Sequence, residues 1–462
     1  MIPTTGLLLT DLYELAMLEA YFASDMEDEA VFEFFVRELP VGYGYLVAAG
    51  IEDVAELVEH ARFTDAELDW MTKSGRFGAA FVDRLRDFRF TGSLDAMPEG
   101  TLFFPDEPVL RITAPLAQAQ LLETRIINLL QYPILIATKG SRCATAAAGK
   151  QLVDFGLRRA HGAEAGLLAA RACYLGGFDG TSTVLAAPRY GIPIYGTMAH
   201  SFIEAHDDEL AAFEHFALAR PEGLVLLIDT YDTEAAARKL LGLAPRLAER
   251  GTAIQAVRID SGDLAEHARR VRRILDAGGR SEIRIFASGG LDEHQLQALL
   301  DAGAPIDGFG VGSKLDTSAD APYLDCAYKL MEYGGRPRRK HSEDKSTWPG
   351  RKQVVRRFDE NGKMAGDQIQ LAEEPVQDEG EALLQPIIQQ GRRIGRLGTL
   401  EEARARRSDQ VARLPSALRR LDAEPSYPVS ASDSVRELAR EADAFIKQQR
   451  NPGQRELKRL NR

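Results

Sequence analysis

Four short polar stretches recur through the middle of the chain at nearly even spacing, each after an apolar run short enough to be a strand. They are Gly196-Thr197-Met198-Ala199-His200, Asp229-Thr230-Tyr231-Asp232, Arg258-Ile259-Asp260-Ser261-Gly262-Asp263 and Ser288-Gly289-Gly290. A fifth, Gly310-Val311-Gly312-Ser313-Lys314, follows slightly sooner. His200 to Asp229 is a step of 29 residues, Asp229 to Arg258 another 29, and Arg258 to Ser288 30. One strand, one helix and two loops fill a step of that length, which argues for parallel strands whose C-terminal ends gather on one face. The expected fold is α/β, a barrel whose mouth collects a histidine, several carboxylates, an arginine and two glycine-rich loops. That inventory suits a substrate carrying several phosphates.

Short apolar runs at 192–195, 224–228, 253–257, 283–287 and 305–309 read as the buried strands, the first βα unit opening near Leu152. Other segments do not keep this rhythm. A helix is expected from Thr10 or Asp11, a strand at 31–36, helices at 50–62 and 65–90, and hairpin-like strands at 88–93, 100–105 and 108–113. A helical pattern runs from Ala117 to Tyr132. Beyond residue 325 come a turn at 345–350, a strand at 352–358, a charged helical region after Leu400 and a basic tail from Gln448. Residues 1–116 are thus read as the N-terminal part of a β-rich domain and 117–325 as the barrel. Residues 326–462 are read as a C-terminal segment partly returning to that smaller domain. Length alone, 462 residues, favours more than one core.

A formal net charge of −12 argues against a protein whose main work is holding nucleic acid, because phosphate neutralisation needs a basic surface. A local cluster of donors still binds phosphate on an acidic protein. The most apolar long stretch, 121–137, is interrupted by Glu123, Arg125, Asn128, Gln131 and Pro133, so no membrane span is expected. Asp11 and Glu14 stand where a secretory signal would be basic and then apolar. Cys143, Cys173 and Cys326 are scattered and form no Cys-x-x-Cys pair, so reduced thiols and a cytoplasmic setting are expected.

At the presumed mouth, His200 is placed to act as a base or as a nucleophile toward a phosphoryl group. Asp260 and Asp263 bracket Ser261-Gly262, and either one caps the next helix or the pair offers hard oxygen to Mg²⁺. Arg258 alternates with Ile259 and so points to the mouth or interior, where it needs an anionic partner: Asp260 or a substrate carboxylate. The glycine pairs at 289–290 and 310–312 resemble the phosphate site found in the last units of a βα series. Arg158-Arg159 ends an apolar run and offers a phosphate ligand, and Gly176-Gly177-Phe178-Asp179 reads as one more strand-to-helix loop.

Taken in order, these stretches resemble the nicotinate phosphoribosyltransferase family. The resemblance is carried by Thr10-Asp11-Leu12-Tyr13-Glu14-Leu15, Phe155-Gly156-Leu157-Arg158-Arg159-Ala160, Leu175-Gly176-Gly177-Phe178-Asp179 and Gly196-Thr197-Met198-Ala199-His200-Ser201. It continues through Arg258-Ile259-Asp260-Ser261-Gly262-Asp263, Ala287-Ser288-Gly289-Gly290, Gly308-Phe309-Gly310-Val311-Gly312 and Pro349-Gly350-Arg351-Lys352. It implies an irregular TIM-like α/β barrel beside a smaller β-rich domain, working as a homodimer with a shared active site. The implied substrates are nicotinate and 5-phosphoribosyl-1-diphosphate, with Mg²⁺ supporting the reaction and ATP hydrolysis coupled through a phosphorylated histidine. Carried onto this chain, the histidine is His200. The pyridine ring is expected at Tyr13, Arg158, Thr197 and Arg258, with Tyr13 able to serve the neighbouring subunit. Asp229, Asp260, Gly289, Gly290, Gly312 and Ser313 would face the phosphoribosyl and diphosphate groups.

Three other readings stay open on sequence alone. The substrate is nicotinamide or quinolinate; the barrel is a phosphosugar aldolase using Lys314 as its Schiff-base amine; or the chain binds nucleotides without catalysis.

Overall fold

Six parallel strands run Gly180–Thr181, Gln151–Asp154, Gly308–Val311, Arg284–Ser288, Ile254–Ile259 and Leu224–Leu227 in neighbouring order, and they form the sheet that the thirty-residue rhythm predicts. This computed structural model describes residues 5–340, 347–376, 380–394, 397–424 and 426–450. The chain divides into two compact units, Leu135–Pro322 and a second made of Met1–Ile134 with Tyr323–Arg462. The division falls inside the helix Glu123–Ala146.

In Leu135–Pro322 the strands are short and apolar because both faces are covered. Leu224, Leu226 and Leu227 are buried, as are Val257, Ile259, Ile285, Ala287, Phe309 and Val311. The helices between them bury one stripe each; in Leu264–Ala277 that stripe is Ala268, Val271 and Leu275 at helical spacing. An aspartate opens four of these helices. Asp208, Asp232, Asp263 and Asp292 each accept the backbone N–H three residues on, at 3.1, 2.7, 3.0 and 3.0 Å. The sheet curls as a half-barrel. The expected strand at 192–195 contributes only a parallel bridge, Thr181 with Ile194. Pro193 removes one ladder donor there, and the Gly180 Cα lies close against the Pro193 carbonyl.

The other unit is β-rich and draws on both ends of the chain. Its seven-stranded sheet runs Arg336–Pro337, Cys326–Tyr333, Glu29–Val36, Leu110–Pro115, Ser93–Ala96, Gln385–Gln389 and Arg392–Arg393. The N-terminal strands are therefore flanked on each side by C-terminal ones. A four-stranded sheet, Glu381–Ala382, Lys352–Phe358, Met364–Leu371 and Val429–Ala431, comes entirely from the C-terminal part. Arg356 is fully buried there, paired with Asp367 at 2.6 and 3.0 Å and donating to the Leu102 carbonyl at 2.8 Å.

Several local expectations are corrected. The single helix over 65–90 is two helices, Asp65–Ser74 and Ala79–Leu85, because Gly75 takes a left-handed conformation and ends the first. The strand expected at 88–93 begins only at Ser93. The helical run 117–132 is two pieces, Leu116–Gln120 and the longer Glu123–Ala146. Gly176-Gly177-Phe178-Asp179 leads from a helix into a strand, not the reverse: Ala163–Gly176 ends at Gly177, and Gly180–Thr181 follows. Lys345 and Ser346 of the expected turn lie outside the described residues, as does the basic tail from Asn451. Among the described residues no helix is long and apolar enough to cross a membrane.

Candidate active site

Arg258, near the end of Ile254–Ile259, organises the mouth of the parallel sheet. Its Nε donates to Ser288 Oγ at 2.8 Å, Nη1 to Thr197 Oγ1 at 3.0 Å and Nη2 to Asp260 Oδ1 at 2.7 Å. The guanidinium lies 5.2 Å from the centre of the Phe155 ring. Three strand ends and the Thr197 loop therefore meet on one side chain. Burial opposes ionisation of Asp260, but the Ser288 hydroxyl and the Arg258 guanidinium outweigh it and hold the carboxyl below its usual range. Arg258 takes the internal partner, Asp260, of the two that its sequence position allowed.

Asp229 forms a second focus. Its carboxylate is almost wholly buried. Oδ2 accepts from the Asp260 N–H at 2.9 Å and Ser261 Oγ at 2.6 Å, and Oδ1 lies 3.2 Å from His200 Nε2. A carboxylate accepts, so in the neutral imidazole Nε2 carries the hydrogen and Nδ1 the lone pair. The imidazole is 39% exposed and opens the short helix His200–Glu204.

The glycine-rich loops fit close against this cluster. Gly289 has φ +100°, and a Cβ there would stand 2.0 Å from the Asp260 carbonyl oxygen. At Gly312 a Cβ would stand 2.7 Å from the Phe155 carbonyl oxygen. Gly290 faces open space, and Ser313 opens the helix Ser313–Asp316. Arg158 sits exposed in the turn Leu157–Arg159 and makes no hydrogen bond or ion pair with another described residue. A cavity of about 130 Å³ lies between the strands, with Phe155, Thr197 and Phe286 in its wall.

Not every anticipated residue joins this group. Asp263 accepts the Glu266 N–H on Oδ1 as a helix cap. Both bonds to Asp260 fall on Oδ1, which leaves Oδ2 for a hard cation or its water, and this donor fits Mg²⁺. Tyr13 belongs to the other unit and is 46% exposed. Burial, then Glu123 and Glu14, push its phenol up to about 12, so it stays a donor. Lys314 Nζ donates to Asp292 at 2.8 Å and to Gln295 at 3.0 Å, so it is engaged within the protein and not presented as a Schiff-base amine.

Phe155, Ser288 and Ser261 were not singled out by sequence reasoning. Each stood inside a quoted motif, and the signal was its place beside an arginine or glycine at a strand end. Asp154 and Asp316, both buried, carried no such mark.

The chain matches the model of the nicotinate phosphoribosyltransferase family over residues 150–338, its N-terminal domain model over 8–131 and its C-terminal domain model over 377–439. It belongs to the nicotinate phosphoribosyltransferase family. It is 48% identical over 438 residues to nicotinate phosphoribosyltransferase pncB2 of Mycobacterium tuberculosis, covering 94% of each chain. With the Bacillus subtilis nicotinate phosphoribosyltransferase it shares 40% over 379 residues, 80% of this chain and 77% of that one. The crystal structure of human nicotinic acid phosphoribosyltransferase superposes with a TM-score of 0.85 at 31% identity, over 94% of this chain and 99% of the human one. The α/β sheet with its β-rich companion is thus the fold of this family.

Proposed function

We propose that the chain joins nicotinate to 5-phosphoribosyl-1-diphosphate, forming nicotinate mononucleotide and releasing pyrophosphate, with ATP hydrolysis coupled through His200. The observation that carries this reading is the Arg258 cluster, which gathers Thr197, Ser288 and Asp260 beside the two glycine-rich loops in a chain of this family.

The pyridine nitrogen already has a free lone pair, so its attack on the ribose C1 needs no general base. As the new C–N bond forms, the C–O bond breaks and its electron pair leaves on the diphosphate. The carboxylates of Asp229 and Asp260, at the strand ends, favour the positive charge that develops on the sugar. Backbone N–H groups at Gly289, Gly290, Gly312 and Ser313 are the donors for phosphate. Asp260 would hold Mg²⁺, which would supply positive charge toward the leaving diphosphate. Because Arg258 is already engaged inside the protein, Arg158 is the arginine open to the nicotinate carboxylate.

His200 Nδ1 holds the lone pair that would take the γ-phosphoryl of ATP, with ADP leaving; hydrolysis then returns the imidazole and phosphate. Phosphorylation adds charge next to the diphosphate site and so changes affinity for substrate and product. Leu9, Leu12 and Tyr13 are all exposed on or next to one helix, a face suited to a second copy. The proposed assembly is a homodimer in which Tyr13 of the partner subunit reaches the pyridine.

The test is purified protein with nicotinate, phosphoribosyl diphosphate and Mg²⁺, with and without ATP, scored for mononucleotide, pyrophosphate and ADP. Equal yields of mononucleotide and pyrophosphate, raised by ATP, are expected. Loss of that ATP stimulation in His200→Ala, with slow basal transfer retained, is expected too. Product without any ADP would remove the ATP coupling, and no pyrophosphate would remove the reaction.

A further inference from the structure

The four-residue helix Ser313–Asp316 follows the second glycine-rich loop, and its Lys314 and Asp316 side chains reach different neighbours. Lys314 Nζ donates to Asp292 Oδ2 at 2.8 Å and to Gln295 Oε1 at 3.0 Å, on the segment that follows Ser288-Gly289-Gly290. Asp316 is 1% exposed, and its carboxyl lies so close to Gly156 that a Cβ there would meet it at 2.1 Å. Gly156 belongs to the segment that carries Arg158. Asp154, at the end of the strand before it, accepts the Gly156 N–H at 2.7 Å and the Thr181 hydroxyl at 2.6 Å.

A carboxylate oxygen of Asp154, one of Asp316 and the Sγ of Cys173 all lie within 4.8 Å of one another. Two carboxylates buried this closely do not both ionise. Asp154 already accepts from the Gly156 N–H and the Thr181 hydroxyl, so of the two neighbouring carboxyls Asp316 is the better place for the proton. Burial pushes both carboxyls above the usual carboxylate range, and at Asp316 the Asp154 charge adds to it. The other titratable groups facing the pair are the thiol of Cys173, on Ala163–Gly176, and beyond it that of Cys143; burial pushes both up.

We infer that Lys314 and Asp316 are positioning residues for phosphoribosyl diphosphate, setting the spacing between the Arg158 segment and the two glycine-rich loops. Lys314 ties the Ser288–Asp292 loop to the short helix, and Asp316 ties the Phe155–Arg159 segment to it. This rests on the reading of the site as a phosphoribosyl diphosphate site. The Asp316 tie depends on a proton held at a raised pKa. It is fully present below the ordinary carboxylate value and is lost as pH rises through the raised one.

The test is the dissociation constant of phosphoribosyl diphosphate by calorimetry with Mg²⁺, alongside KM for each substrate, as a function of pH. Lys314→Met and Asp316→Ala are expected to weaken phosphoribosyl diphosphate at least tenfold and to leave the nicotinate KM within twofold. Asp316→Asn keeps an N–H toward Asp154 and cannot ionise. It is expected to bind like the parent at neutral pH and to abolish the parent's weakening at alkaline pH. Cys173→Ser is expected to keep that weakening. Unchanged affinity in Lys314→Met, or an alkaline limb in Asp316→Asn equal to the parent's, overturns the inference; should Asp316→Ala not fold, those two variants decide it. Tight binding by the parent without turnover would count against the proposed reaction alone and leave this comparison intact.

Discussion

Arg258 makes a planar three-way contact that no other side chain reproduces. Lysine would supply one point charge where the fork supplies three directed N–H groups to Ser288, Thr197 and Asp260. Arg258→Lys is expected to lower kcat/KM by about 10- to 100-fold, the equivalent of one or two charge-assisted hydrogen bonds, read in steady-state assays. The two aspartates of the same loop separate cleanly. Asp263→Ala removes a helix cap and is expected to cost about 1 kcal/mol in denaturant melts with activity kept. Asp260→Ala is expected to abolish Mg²⁺-dependent turnover. Asp260 is held below its usual pKa, so its anchoring of Arg258 is present above the ordinary carboxylate value and is lost only as pH falls through the lowered one. At this scale the sequence told most. Strand-end position marked Arg258, Asp229, Asp260 and His200 as neighbours. It did not separate a capping carboxylate, Asp263, from one bound to Arg258, Asp260, because two aspartates three residues apart at a helix start fit either use.

Among the elements, the regular βα steps were legible because buried parallel strands read as short apolar runs and their helices as stripes. The failures have local causes. Pro193 reduces 192–195 to a bridge with Thr181, and a left-handed Gly75 divides 65–90. Gly177, also left-handed, stops a helix where a strand-end loop was expected, since glycine marks both. One close fit lies between two loops. Gly289→Ala forces a Cβ onto the Asp260 carbonyl at a φ of +100°. It is expected to lose most activity and more than about 1 kcal/mol of stability, as a lowered midpoint in chemical unfolding. Gly290→Ala meets no neighbour, although its φ of +66° adds strain, so the smaller loss is expected there.

Over the whole molecule, the return of the C-terminal segment to the N-terminal sheet was visible in outline as β-rich passages on either side of the regular steps. Its strand order was not, because antiparallel pairing between distant segments leaves no spacing to read. Strand Cys326–Tyr333 lies beside Glu29–Val36, and Gln385–Gln389 beside Ser93–Ala96. Arg356 secures part of this unit, joining its own strand to Asp367 and the Leu102 carbonyl with no exposed surface. Arg356→Met strands the buried Asp367 charge and is expected to cost about 3–5 kcal/mol, measured as a loss in unfolding free energy. The central claim concerns the other unit: the ends of its parallel strands form one phosphoribosyl-transfer site around Arg258. The direct measurement is pyrophosphate release from phosphoribosyl diphosphate in the presence of nicotinate and Mg²⁺, by the parent protein and by folded Arg258→Met. Nicotinate-dependent release by the parent and its near-complete loss in the variant are the predicted results; no release by the parent, or equal release by both, would contradict the account.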